Sequence, residues 1–305
     1  MSARILLQFP EGLKTKALAE AARLERAGNE VFVSSSPCYG ACDLALDEAR
    51  ALRADKIIHF GHAEFLKLKP NSKIKIEYIE YPMKVNHARA LKKALALLAN
   101  YKRIGLVTTV QHVGQIVEIR RFLEKNGKKV FIGKGTRTKY TGQILGCDFE
   151  AAARVEREVD CFIYFGGGVF HSLGMRVHRP VLAVDPFSGG VRWMDEEIKK
   201  AEKRRKFGMM RAAEAKTFGI LVSTKIGQFA VARAQKIKKI LERKGRRALI
   251  LVSNEINPEA LMNFRAFECY VNTACPRIRE DYERFDKPVI NYEDAVELAG
   301  MLSSR

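Results

Sequence analysis

The chain has 305 residues, enough for two or three small domains, and is 47% hydrophobic, so it can bury real cores. It has no apolar run that could span a bilayer and no basic-then-apolar start of the signal-peptide kind, and six cysteines are too few for a disulfide framework. A soluble cytoplasmic protein is therefore expected, and its net charge of +19, positive in every third of the chain, suits an acidic or ribosome-associated partner, nucleic acid, or solubility alone.

In chain order, Arg4 to Phe9 reads as a first strand. A helix follows from about Thr15 to Ala27, with Ala17, Leu18, Ala21 and Leu24 at helical spacing and Gly28 as its stop. Val31 to Ser34 is the next strand. The stretch Pro37 to Asp43 reads Pro-Cys-Tyr-Gly-Ala-Cys-Asp, after which Asp43, Leu44, Leu46, Ala49 and Leu52 predict a second helix. Lys56 to Phe60 is a short buried strand closing on Gly61-His62. Residues 66–86 form a Lys- and Pro-containing connection, with Ile74 to Glu80 as an edge strand.

The same order returns with a strand Arg103 to Val107, a helix Ile116 to Lys125 ended by Asn126-Gly127, and a strand Lys129 to Ile132. A loop with Cys147, a helix Phe149 to Glu158 and a strand Cys161 to Phe165 complete this second set, which runs into Gly166-Gly167-Gly168. The run Asp195 to Lys216 is charged and helical in character, and its residues 199–206 read as a solvated helix face or a contact to an acidic partner. A third set has strands Phe218 to Val222, Ala248 to Val252 and Cys269 to Asn272, with helices Phe229 to Arg243 and Pro258 to Phe264.

The echoes are literal. Leu-Glu-Arg-Ala-Gly, Leu-Glu-Lys-Asn-Gly and Leu-Glu-Arg-Lys-Gly end the first helix of each set, at Gly28, Gly127 and Gly245. This is an internal triplication of an α/β unit, with domains expected at 1–100, 101–206 and 207–305. Strands alternating with helices imply mainly parallel sheets flanked by helices, with ligand-binding loops beyond the carboxyl ends of the strands.

Three cysteines fall in such loops: Cys42, Cys147 and Cys275. Each follows a small residue and precedes one that opens helices, since Asp43 and Asp148 suit an N-cap and Pro276 suits the first helical position. A helix N-terminus lowers a thiol pKa and favours an anionic centre. The three thiolates are thus expected to converge on one iron–sulfur cluster. A [4Fe–4S] cluster normally takes four thiolates, so three leave one iron open. On spacing alone they could also be structural, or bind zinc with a histidine. The third cysteine follows the third strand of its unit, whereas the first two follow the second.

Cys38 reads as a fourth ligand, a spare thiol or a small buried residue, and Cys161 and Cys269 as core residues inside strands. His59, His62 and His171 lie at strand ends as candidates for proton transfer or substrate orientation, or as ordinary polar residues. Ser223, Thr224 and Gln228, and at the matching place Thr108, Thr109 and Gln115, could hold a carboxylate or amine or cap the next helix. Arg277 and Arg279, beside Cys275, could fix a substrate carboxylate.

Tyr39-Gly-Ala-Cys-Asp43, Gly142-Gln-Ile-Leu-Gly-Cys-Asp148 and Asn272-Thr-Ala-Cys-Pro-Arg-Ile278 resemble the three cysteine motifs of the diphthamide biosynthesis enzymes, in their single-subunit archaeal form. Gly61-His62-Ala63-Glu64 and Val222-Ser-Thr-Lys-Ile-Gly-Gln228 look like further signatures of that family. The resemblance spans nearly the whole chain. It implies one [4Fe–4S] cluster on Cys42, Cys147 and Cys275, with S-adenosylmethionine on the open iron. It implies cleavage of the donor's sulfur–Cγ bond to a 3-amino-3-carboxypropyl radical, which adds to C2 of a histidine imidazole in translation elongation factor 2. It further implies a homodimer, an external electron donor, and no direct contact with nucleic acid. Ser223, Gln228, Arg277 and His171 are the expected donor-binding residues by loop position. Two other readings are a dehydratase like quinolinate synthase, also triplicated around a three-cysteine cluster, and a non-catalytic basic metal-binding protein. The contexts Gly-Ala-Cys-Asp and Ala-Cys-Pro-Arg favour the diphthamide family.

Overall fold

Short apolar runs alternating with amphipathic segments become parallel strands with helices on their faces. The computed structural model describes residues 2–66 and 73–302, so part of the expected 66–86 connection lies outside the described residues.

In the first sheet, β1 (Arg4–Gln8) leads through a 3₁₀ turn into α1 (Ala17–Arg26), then β2 (Glu30–Val33), α2 (Leu46–Ala51), β3 (Lys56–Phe60) and the edge strand β4 (Lys75–Ile79). The order is β2-β1-β3-β4, all parallel. A parallel sheet is covered on both faces, so its central strands are mainly apolar. Ile5 and Leu7 pack with Leu24, Ile58 and Phe60 on one face. Leu6 and Ile57 pack with Leu44, Leu46 and Ala49 on the other.

The second sheet is preceded by α3 (Ala88–Leu97), a helix that the chain-order reading passed over. It contains β5 (Arg103–Thr108), α4 (Ile116–Lys125), β6 (Lys129–Phe131), α5 (Glu150–Ala153), β7 (Cys161–Phe165), α6 (Phe170–Gly174), β8 (Val181–Val184) and β9 (Val191–Trp193). The order is β6-β5-β7-β8-β9, parallel except for β9. The stripe Ala90, Leu91, Ala94 and Leu98 buries against Ile104, Ile119 and Ile163. So α3 belongs to the second core, although its residues lie within the expected 1–100 domain.

The third sheet follows α7 (Asp195–Glu214) and holds β10 (Thr217–Ser223), α8 (Val231–Arg243), β11 (Arg247–Ser253), α9 (Pro258–Leu261), β12 (Cys269–Asn272), β13 (Val289–Asn291) and α10 (Tyr292–Met301). Its order is β11-β10-β12-β13, all parallel. The expected boundary at 206/207 falls inside α7, whose Met209 and Ala212 are part of the third core. The chain forms two compact units, Met1–Glu196 with two sheets and Glu197–Arg305 with one. Within 199–206 the side chains are mostly exposed, but Arg205 is tied to Asp294 and Glu297, each at 2.9 Å.

All three sheets share one order, second-first-third-fourth, as a triplication requires. Gly28, Gly127 and Gly245 all take a positive φ, between 70° and 84°, at the three matching helix ends. A third echo had no obvious sequence signal. The acid just before the third strand of each unit accepts from the backbone at the start of the first strand: Asp55 from Arg4, Asp160 from Lys102 and Arg103, Glu268 from Lys216 and Thr217.

Two expected helices are shorter than read. The second starts at Leu46 and is not capped by Asp43, because residues 40–43 are spent on a turn. The one expected over Phe149 to Glu158 is α5 followed by a separate 3₁₀ turn, Glu156–Glu158.

Candidate functional site

Each of the three loop cysteines sits just beyond the carboxyl end of a strand. The first two occupy the same kind of turn. Asp43 N donates to Gly40 O at 2.9 Å, which puts Cys42 third in a four-residue turn. Asp148 N donates to Leu145 O and Leu145 N to Asp148 O, at 3.3 and 2.9 Å, which puts Cys147 in the same place. Asp43 Oδ2 accepts from Tyr39 N and caps no helix, whereas Asp148 Oδ1 accepts from Glu150 N, the first residue of α5, from one position before the N-cap. The Cys147 turn is anchored to its sheet. Thr108 N donates to Gly142 O and Ile144 N to Thr108 O, each at 2.8 Å.

Cys275 is held differently. It is the N-cap of a 3₁₀ helix, Pro276–Arg284, with Pro276 at the first position as the sequence suggested. Asn272 Nδ2 donates to Cys275 O at 2.7 Å, and Asn291 Nδ2 to Pro276 O at 2.9 Å. Ala274 N donates back to Asn272 Oδ1 at 3.0 Å. Asn272 opens the third cysteine motif, but its bracing role and Asn291 were not read from the sequence; the signal was a polar residue ending each of two adjacent buried strands.

The cysteines differ in exposure. Cys147 is exposed and Cys42 and Cys275 are half-buried. Cys161 and Cys269 are buried in strands, and burial raises both thiols, that of Cys161 to about 12. These are core thiols. At Cys275 burial raises the thiol, while backbone N–H groups of Arg277 and Ile278 and the Arg277 charge draw it back down. Donors aimed at a sulfur are what a metal-bound thiolate needs. Cys42, Cys147 and Cys275 are thus each an accessible thiol on a braced turn.

The other expected residues divide. Ser223 is spent on its own loop, since its Oγ donates to Asn254 O at 2.9 Å and accepts from Lys225 N at 3.2 Å. Thr108 Oγ1 donates to Phe165 O, and Gln115 pins the backbone of Val85. Arg277 is buried, 2.5 Å from Glu280, and Arg279 pairs with Asp294 at 2.8 Å. Gln228 lies in the turn after β10. His171, on α6, stacks on Tyr164 and lies 3.4 Å from its hydroxyl.

His59 and His62 are brought together, His59 Nε2 lying 2.9 Å from His62 Nδ1. Burial holds both below the ordinary value of 6.5, His59 at about 3 and His62 at about 4, so both are neutral at pH 7. Gln8, a buried polar residue in an otherwise apolar strand, links His59 to the Cys42 loop. The carboxyl ends of the first two sheets are stitched together, Gln111 Nε2 donating to Gly61 O and Glu80 pairing with Lys139 and Tyr140.

Comparison with known proteins agrees with this arrangement. Residues 9–303 match the family described as "Putative diphthamide synthesis protein". The 2-(3-amino-3-carboxypropyl)histidine synthase of Pyrococcus horikoshii is 38% identical over 305 residues, covering 98% of this chain and 86% of that protein. Subunit 1 of the Gallus gallus enzyme is 29% identical, covering 97% and 72%. The crystal structure of Dph2 from Pyrococcus horikoshii with a 4Fe–4S cluster superposes with a TM-score of 0.90 at 34% identity, covering 100% of this chain and 88% of that one. The quinolinate synthase and non-catalytic alternatives give way to this match: the chain belongs to the diphthamide synthesis family.

Proposed function

We propose that this protein transfers the 3-amino-3-carboxypropyl group of S-adenosylmethionine to C2 of a histidine imidazole in translation elongation factor 2, the first step of diphthamide formation. The observation that carries this reading is the family match over residues 9–303, which takes in all three cysteine turns. Cys42, Cys147 and Cys275 are assigned as the thiolate ligands of one [4Fe–4S] cluster. When bound, the cluster supplies the electron for cleavage of the donor's sulfur–Cγ bond and an open iron for its methionine part.

The chain's own residues hold and orient. The Asp43 and Asp148 turns fix two sulfurs, and the Asn272–Asn291 pair fixes the backbone at the third. Orientation matters because only a correctly presented donor breaks the sulfur–Cγ bond and not its neighbours. Arg277, beside Cys275, is assigned to the donor carboxylate, which requires it to share or exchange its Glu280 partner. Gln228 and His171 are assigned to the donor by loop position, and Ser223 to support of its loop. The charge of +19 suits a large acidic protein substrate. A homodimer in the cytoplasm, served by a separate electron donor, completes the reading.

The test is anoxic. The protein is reconstituted with iron and sulfide, reduced with dithionite and given S-adenosylmethionine. Methylthioadenosine without 5′-deoxyadenosine is the expected product. A brown protein that forms neither product would overturn the reaction, and a colourless protein that takes up no iron would overturn the cluster.

A further inference from the structure

At the opposite end of the Cys42 loop from the turn, Cys38, His59 and His62 form a compact group. One nitrogen of each ring and the Cys38 sulfur all lie within 4.8 Å of one another. Cys38 and His59 are buried, at 4% and 0% exposure, and His62 is half-buried. Ligands on a tetrahedral zinc, with bonds of about 2.0–2.3 Å, stand roughly 3–4 Å apart, so little movement would bring these three onto one ion.

Hydrogen bonding sets the tautomer. Gln8 Nε2 donates to Asp43 O at 2.7 Å, and Gln8 Oε1 accepts from Ala45 N at 3.2 Å, so the orientation of this amide is fixed from both sides. Its oxygen faces His59 Nδ1 at 2.9 Å. Nδ1 must therefore carry the proton, and Nε2 of the neutral ring accepts from His62 Nδ1–H at 2.9 Å, a proton that a metal ion bound at this pair would displace. A donor bond from the remote ring nitrogen to a carbonyl is the usual way in which a metal-binding imidazole is oriented. The ring of Tyr78 packs edge-on against His59 at 5.5 Å, and its buried hydroxyl has no hydrogen-bond partner among the described residues.

We propose that Cys38, His59 and His62 form a second metal site, separate from the three-cysteine set, that takes a zinc-class divalent ion. One thiolate with two imidazoles selects such an ion over magnesium or calcium, which prefer oxygen ligands. The ion ties the end of β3 to the start of the Cys42 loop, while Gln8 holds the far side of that loop at Asp43 and Ala45. With three protein ligands the ion keeps one position for water, and it fixes the path from Cys38 to Cys42. It does not depend on which residues hold the iron–sulfur cluster.

The test uses the full chain with Cys42, Cys147 and Cys275 all replaced by serine, purified anoxically and stripped with a chelator. Zinc is titrated and counted by mass spectrometry after dialysis, and cobalt(II) is added in parallel. One zinc per chain and a thiolate-to-cobalt charge-transfer band are expected. Adding Cys38→Ala should abolish both, and adding His62→Gln should weaken zinc binding at least tenfold. Absence of zinc from the folded triple variant, or zinc and the cobalt band surviving Cys38→Ala, overturns the site. Should the triple variant not fold, the native holoprotein decides. Its zinc content, counted beside iron, must exceed that of Cys38→Ala by one per chain, and equal contents overturn the proposal.

Discussion

Asn272 Nδ2 donates at once to Cys275 O, at 2.7 Å, and to Asn291 Oδ1, at 2.9 Å. A buried amide at the end of β12 thus joins the third cysteine loop to the neighbouring strand, and Asn291 extends the link to Pro276. Asn272→Ala leaves Cys275 O, Ala274 N and Asn291 Oδ1 each short of a bond. The expected cost is about 1–3 kcal/mol. Calorimetry should show the lower melting temperature, and iron per chain after reconstitution should fall although no cysteine is touched. Unchanged iron would mean that Cys275 does not need this clamp.

Replacing any one of Cys42, Cys147 and Cys275 by alanine should remove the cluster or its activity. Cys161→Ala should keep both, because its thiol is buried in β7 and held protonated. Iron content and methylthioadenosine release are the readouts. A Cys147→Ala protein with normal iron and turnover would remove that residue from the ligand set.

Asp160 accepts from Lys102 N and Arg103 N and from the Arg103 guanidinium, which together hold its carboxyl at about 2, below the ordinary 3.8. The folded value lies below the unfolded one. Its contribution is therefore complete above pH 3.8 and drains away as pH falls towards 2. Asp160→Asn should destabilise by about 1 kcal/mol at pH 7, since the group is near the surface. The gap from wild type should narrow as unfolding is followed down through that window. A gap independent of pH would argue for packing and not charge.

Gly142 opens the loop that carries Cys147, with φ of 77°. A Cβ there would be strained and would meet Ile116 Cδ1, with Ile132 Cγ2 at 2.9 Å. Gly142→Ala should cost about 1–3 kcal/mol from the backbone, with a comparable amount from crowding. Denaturant unfolding measures the loss. Gly114→Ala, with open space at its Cβ position, is the control and should be near neutral.

Much of this was legible in residue order alone. Mainly apolar runs such as Lys56–Phe60, Cys161–Phe165 and Cys269–Asn272 announced their strands to the residue, because a strand covered on both faces is mostly apolar. The repeated Leu-Glu-x-x-Gly endings announced the triplication, because a helix stop needs a residue that accepts positive φ. The three cysteine turns were visible as motifs. The tertiary structure decided the rest. Asp43 reads locally as a helix cap, yet its carboxylate accepts from Tyr39 N, a choice made by which backbone N–H is within reach. Helix α3 joined the second core and not the first, because the apolar faces of β5 and β7 were there to receive it. Gln8, Asn272 and Asn291 show in the chain only as polar residues ending buried strands. Their importance comes from buried hydrogen bonds to residues 35, 3 and 15 positions away, and only folding brings such partners together.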